Sequence, residues 1–219
     1  MTALLLAIVA GSAFWITTNG TQPSSQQDTV IALEDIQKKL INTLVLPSDY
    51  KQVPPFALLD TNGDVATQNI LSSKWSMLFF GYTNCPDICP LTLSIVSSVT
   101  EELANKSISQ PQVVFVTVDP ERDTTDHLDG YLKHFNSDFI GITGDVERLS
   151  DWVSSMGISF KRHNEEDTSF YTVDHSATIL LIDPENRIRG SFNTPLDVNT
   201  IVSDYQTIVN SISVITPKS

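Results

Sequence analysis

The chain has 219 residues, 41% of them hydrophobic and 18% charged, and its 26 acidic residues against 13 basic ones give a formal net charge of −13. That length suits one domain with its own core, and the acidic excess excludes a nucleic-acid partner, whose phosphates would be repelled. The same charge is compatible with recognition of a protein partner through acidic patches, or with solubility alone.

The first element is an apolar run over residues 3–16, which carries no charge. It is short of the roughly 20 residues that cross a bilayer, and residues 17 and 18 bring it close. It reads equally as the hydrophobic region of a signal peptide, with Gly11-Ser12-Ala13 before a cut. No Lys or Arg precedes it, so the usual positive flank is missing. Residues 1–18 are thus expected to form a membrane anchor or signal segment. Residues 19–27 are polar and read as a linker. From 31 to 46, apolar residues at helical spacing alternate with Glu34, Asp35, Lys38 and Lys39. Residues 19–50 are therefore expected to be a linker with an amphipathic helix, and a globular domain is expected over 51–219.

Within that domain, residues 56–60 and 65–67 read as strands around the turn Asn62-Gly63. The apolar run 75–80 reads as a buried strand, 90–105 as a helix, and 113–118 as the next strand. Helices are expected over 124–135 and 145–156, with strands at 140–143 and 158–162 and a charged turn at 164–169. Strands 177–182 and 187–192 form a hairpin around Asp183-Pro184-Glu185-Asn186, and a helix over 197–212 closes the chain. Strands alternating with helices imply an α/β fold, a mostly parallel central sheet with helices on both faces.

Both cysteines of the chain, Cys85 and Cys89, lie in the turn between the strand at 75–80 and the helix that follows. Residues four apart on a helical turn share a face, and their Cα atoms are on the order of 6 Å apart, within disulfide reach. The same pair can pinch one metal ion. A helix N-terminus favours thiolate, the form that attacks disulfides and binds soft metals, and open α/β sheets place their sites at this end of the strands.

A metal site needs further ligands, and the chain has four histidines. His127 and His134 fall in a polar helical stretch and read as surface residues, and His163 reads as a solvated strand end. His175 enters a central strand from a loop, where it either faces the cysteine turn or does not; spacing alone leaves both open. Asp119, Arg122 and Asp123 follow a central strand at the same sheet end. They read as a turn built on Asp-Pro chemistry, or as residues that order the cysteine loop, Asp119 foremost.

Three motifs occur in order: Phe80-Gly81-Tyr82-Thr83-x-Cys85-Pro86-Asp87-Ile88-Cys89-Pro90, then Thr117-Val118-Asp119-Pro120-Glu121-Arg122-Asp123-Thr124, then Asp174-His175-Ser176. With the weaker Phe56-x-Leu58-x-Asp60-x-x-Gly63 they resemble the Sco/SenC family of copper chaperones for cytochrome c oxidase assembly, from about residue 54 to about 212. The resemblance implies a thioredoxin-like fold and one copper per chain, as Cu(I) or Cu(II), bound by Cys85, Cys89 and His175. It further implies delivery to cytochrome c oxidase subunit II, and a single N-terminal anchor in the inner membrane with the soluble domain in the periplasm. Asn84 stands where many members carry a histidine, a position that is not a family ligand.

Soft thiolates favour Cu(I), and an added imidazole lets the site also hold Cu(II). A Cys85–Cys89 disulfide offers no thiolate, and an oxidising compartment tends to close it, so a thioredoxin-like reductant is an expected partner. The alternative is a thiol–disulfide reductase cycling the same two cysteines, with His175 incidental. A peroxidase is disfavoured, because the peroxiredoxin signature Pro-x-x-x-Thr-x-x-Cys meets Leu78 and Tyr82 here instead of Pro and Thr.

Overall fold

The computed structural model describes residues 32–158, 160–164, 171–175 and 178–215, with the backbone alone described for 160–164, 171–175 and 213–215. In chain order, a short helix at residues 32–37 (α1) leads to strand Thr43–Val45 (β1), and Ala57–Asp60 (β2) pairs with Val65–Thr67 (β3). Strands and helices then alternate through Ser76–Gly81 (β4), Ile88–Asn105 (α2), Gln112–Thr117 (β5), Thr125–Lys133 (α3), Ile140–Thr143 (β6) and Val146–Ser155 (α4). Phe160–Asn164 (β7), Tyr171–His175 (β8), Ile179–Ile182 (β9), Ile188–Phe192 (β10) and Val198–Ile215 (α5) complete the order.

All six residues of β4 are buried, as an uninterrupted apolar run requires when both faces of a strand are covered. Successive side chains leave a strand on opposite faces, and Phe79 and Phe80 show where each face leads. Phe79 meets Phe115 of β5 edge-on at 5.6 Å, and Phe115 meets Tyr131 of α3 at 6.2 Å. Phe80 meets Trp152 of α4 at 6.1 Å, and Trp152 packs on Phe56 at 4.3 Å. Helices α3 and α4 therefore cover opposite faces. Each buried ring stabilises the fold by roughly 3–5 kcal/mol relative to alanine.

The eight-stranded sheet has the order β1-β10-β9-β4-β5-β6-β2-β3. Only β4–β5 and β5–β6 are parallel; the other pairings are antiparallel. The sheet is thus mixed α/β rather than mostly parallel. The physical reason is connection length: β2–β3 and β9–β10 are joined by tight turns, which permit only antiparallel pairing, while the helical crossovers α2 and α3 permit parallel neighbours.

The folded unit also reaches back before residue 51. The expected helix over 31–46 stops at 37, and β1 pairs with β10 as an edge strand. Buried Asp204 of α5 accepts from Ile41 N (3.1 Å), Asn42 N (3.3 Å) and Thr43 Oγ1 (2.6 Å), sewing this segment to the domain. The strand expected at 158–162 is β7, which pairs with β8 in a separate two-stranded sheet. Residues 3–16 lie outside the described residues, and no described helix is long and apolar enough to cross a membrane.

The β9–β10 turn is built on Asp183, which is fully buried. It accepts from Glu185 N (3.0 Å) and Arg187 N (2.9 Å) and pairs with Arg187 Nε at 2.7 Å and buried Arg189 Nη1 at 3.3 Å. Removing one partner of a buried ion pair strands the other charge. Asp183→Ala is expected to lower stability by about 3 kcal/mol or more, measured by urea denaturation, and a loss below about 1 kcal/mol would contradict this role for the pair.

Candidate functional site

The last residue of β4 is Gly81, where the site leaves no room for a side chain. A Cβ on Gly81 would lie 2.8 Å from Cys89 Sγ and 2.8 and 2.9 Å from two ring carbons of Phe115. Beyond Gly81 the chain turns, with Cys85 N donating to Tyr82 O at 3.2 Å. Helix α2 begins at Ile88, so Cys89 is its second residue and Pro90 its third. Pro90 still falls in the first turn, where its missing N–H costs nothing. Cys85 is 8% exposed and Cys89 is fully buried, so solvent or a partner reaches the pair from the Cys85 side.

Both residues are thiols, with no disulfide between them. The helix N-terminus alone would favour thiolate at Cys89, yet that thiol is pushed far above the ordinary range. The largest cause is its hydrogen bond with the Cys85 sulfur, followed by burial; a backbone hydrogen bond from Tyr82 acts in the opposite direction, and the charges of Cys85 and Asp123 add to the rise. Two interacting acids so close release their protons in separate steps.

The cysteine loop is held by Asp123, a fully buried carboxylate forty positions along the chain from Thr83. Thr83 donates to it through its backbone N–H (3.0 Å) and its hydroxyl (2.5 Å), and Thr117, at the end of β5, donates at 2.6 Å. Thr143, at the end of β6, donates to the Asp123 carbonyl at 2.8 Å. Burial pushes the Asp123 carboxyl above the ordinary range, and the Thr117 and Thr83 hydrogen bonds pull it part of the way back.

Asp119, the residue foremost in the sequence reading, is also fully buried but acts at one remove. It pairs with Arg122 Nε, and the Arg122 guanidinium lies 5.8 Å from the centre of the Tyr82 ring. His127 is exposed, as expected, but its Nε2 lies 3.0 Å from Thr83 Oγ1. Because the Thr83 hydroxyl gives its proton to Asp123, the imidazole is the donor in that contact. His134 bonds the Gly130 carbonyl at 2.6 Å and remains a surface residue.

His175 is the last residue of β8, its backbone paired with Phe160. His175 is expected to enter the next strand from a loop; it instead closes β8, so it ends a strand rather than leading into one. Its side chain lies outside the described residues, as do the side chain of His163 and all of Ser176. Among the described residues no group of three or more His, Cys, Asp or Glu is gathered to hold a metal.

Sequence reading missed Gly81, Thr83, Thr117 and Thr143 as parts of the site. The available signal was a threonine at or just past the end of each of the three parallel strands.

A mixed α/β sheet that carries a dithiol turn between its central strand and the following helix defines the class, the thioredoxin-like proteins. The SCO1/SenC profile matches residues 46–210, and the chain belongs to that family. A protein of Stutzerimonas stutzeri, named for copper binding, is 36% identical over 158 residues, covering 72% of this chain and 76% of its own length. The mitochondrial SCO1 homolog 1 of Arabidopsis thaliana is 34% identical, covering 77% of this chain, which spans about half (51%) of that relative's length. Among solved structures, copper-bound ScoI of Arabidopsis thaliana matches with a TM-score of 0.69 at 32% identity, covering 73% of this chain and 99% of that one. Copper-bound yeast Sco1 matches with a TM-score of 0.69 at 31% identity, covering 76% and 91%.

Removing the Asp123 carboxylate takes away the acceptor of the buried Thr117 hydroxyl and of the Thr83 backbone N–H. Asp123→Ala is expected to lower stability by about 2 kcal/mol or more and to raise the proteolytic susceptibility of residues 82–87. Urea denaturation and limited proteolysis check this; an unchanged cleavage pattern would refute the clamp.

Proposed function

We propose that this protein is a copper metallochaperone that carries one copper ion, as cargo, to the copper centre of cytochrome c oxidase subunit II during assembly of the respiratory complex. The observation that carries the reading is the pair of thiols in one strand-to-helix turn, Cys89 fully buried as the second residue of α2 and Cys85 slightly exposed above it. Soft thiolates suit Cu(I). The copper-bound structures of Arabidopsis ScoI and yeast Sco1, related in fold and sequence, support copper as the bound ion. In this reading Cys85, Cys89 and His175 are the ligands, and the imidazole lets the site also hold Cu(II). Asp119 and Asp123 order the loop, Asp119 through Arg122. Three ligands leave the ion accessible to an acceptor.

Loading requires the reduced pair, so a thioredoxin-like reductant is the second partner. Residues 1–18, with the linker that follows them, tether the domain to the inner membrane on its periplasmic side. A second reading, thiol–disulfide reductase, is favoured by the sulfur–sulfur contact, since a pair that close can cycle between dithiol and disulfide.

Metal analysis separates the two. The reduced soluble domain is expected to bind about one Cu(I) per chain, and Cys89→Ala to abolish tight binding. His175→Ala is expected to weaken Cu(II) binding greatly while keeping part of the Cu(I) binding and most of any thiol-exchange activity. Copper binding untouched by His175→Ala, with collapsed thiol exchange, would favour the reductase.

Fractionation checks the location. The full-length chain is expected in the membrane fraction, with its domain accessible to protease from the periplasmic side. Recovery in the cytosol with both thiols permanently reduced would refute the tether.

A further inference from the structure

Helix α3 carries a glycine that its own surroundings do not call for. Gly130 lies within α3, where glycine costs helix stability relative to alanine. Its φ is not positive, so the backbone does not require it. A Cβ placed on it would meet no described atom within 4 Å, so packing does not require it either. What Gly130 does is line a groove of about 470 Å³, together with Asp126, His127, Tyr131, His134 and Phe135. The groove is mostly apolar, and its two rings, Tyr131 and Phe135, meet edge-on at 5.3 Å and stay half-buried. His127 joins the groove to the cysteine turn, because its Nε2 lies 3.0 Å from Thr83 Oγ1, two residues before Cys85. Leu91, two residues beyond Cys89, adds an apolar side chain that is 52% exposed. The carboxylates of Asp87, beside the cysteines, and Asp126, at the groove, are exposed.

We propose that this groove is the docking site for a protein partner that exchanges with the dithiol, and that it receives one aromatic side chain flanked by basic residues. Continuity gives the place: a segment seated in the groove lies against the cysteine loop through His127. The apolar lining gives the anchor, since aromatic side chains in apolar pockets dominate interface energies. Charge gives the flanks, because Asp87, Asp126 and a net charge of −13 favour a basic partner. A second copy would bring the same acidic excess, and residues 1–31 contain no Lys or Arg, so neither matches that charge. The glycine then has a function, as any side chain at position 130 would stand in the groove. The inference rests on the dithiol being the group that partners act on, which the metallochaperone and reductase readings share.

The test compares the full-length chain with Gly130→Ala and Gly130→Leu, using six-residue peptides as probes. Each peptide has two lysines, one phenylalanine and one cysteine blocked as a mixed disulfide with thionitrobenzoate. The phenylalanine stands one to four positions from the cysteine, which spans up to about 14 Å of extended chain. A thiol of the reduced pair attacks the peptide sulfur, the disulfide breaks and yellow thionitrobenzoate leaves. The second thiol then displaces the peptide, so the protein pair ends as a disulfide and the probe as two thiols. The quantity read is the rate with phenylalanine divided by the rate with alanine in its place, a ratio in which the reactivity of the protein thiols cancels. At the best spacing it is expected to be about ten in the wild-type chain. It is expected to fall to about three in Gly130→Ala and about one in Gly130→Leu. Glutamates in place of the lysines are expected to slow exchange about three-fold at low salt. Both variants are expected to melt about 2 °C higher, because a helix glycine has been replaced. A ratio near one at every spacing, or one that survives Gly130→Leu, would overturn the docking site. Lower melting temperatures in both variants would give Gly130 a structural role and overturn it too, and equal rates for lysine and glutamate peptides would overturn the basic flanks. A dimer in sedimentation that Gly130→Leu dissociates would assign the groove to a second copy instead. A wild-type chain that binds no Cu(I) but keeps the ratio would sink the metallochaperone reading and leave the docking site standing; intact Cu(I) binding with a ratio of one would do the reverse.

Discussion

Three parallel strands converge on one residue, Asp123. Thr83 lies just past β4, Thr117 ends β5 and Thr143 ends β6, and all three bond to Asp123, two through its side chain and one through its carbonyl. Parallel strands deliver their loops to the same edge of a sheet, where backbone groups no longer have ladder partners and must find others. Asp123 answers that need at the junction, and the cysteine turn is fastened by the same bonds. Burying the carboxylate opposes its ionisation, and the threonine donors offset part of that cost. The position of Cys85 and the start of α2 follow from this clamp, because Thr83 is only two residues before the first sulfur.

What the clamp holds is an arrangement under electrostatic tension. Cys89 is fully buried, and its sulfur and the Phe115 ring both border the space over Gly81, which admits no side chain. The Cys89 sulfur is hydrogen-bonded to that of Cys85, so one charge suppresses the other. The pair is approached from Cys85, the slightly exposed member, while the phenylalanines, Tyr131 and α2 close the inner side. The same features that bury the site also limit which sulfur an incoming thiol or acceptor can meet first.

Arg122 and His127 show how neighbouring surface elements are tied to the loop. One guanidinium links buried Asp119 to the Tyr82 ring, and one imidazole links α3 to Thr83. Exposed ion pairs contribute little, but here one partner is fully buried, which gives the Asp119–Arg122 pair a firmer geometry than the exposed Lys38–Asp35 pair.

The sequence by itself determined the periodic elements and the chemistry of the turn. Uninterrupted apolar residues marked β4, helical spacing marked α2, and Asp145 and Thr124 marked two helix starts where they do cap. The paired cysteines at a strand-to-helix turn needed no structure to be singled out. These are properties of residues near one another in the chain, where spacing and burial preference leave a direct trace. Tertiary structure alone decided the rest. It joined residues 43–45 to the sheet, because edge pairing depends on β10, far along the chain. It made the sheet mixed, because hairpin and crossover pairings are settled only when strands meet. It gave the grip on the cysteine loop to Asp123 rather than to Asp119, two aspartates four residues apart in one motif. Which of them reaches Thr83, forty residues away, depends on how the turn after β5 lies against the turn after β4, and no spacing along the chain records that distance.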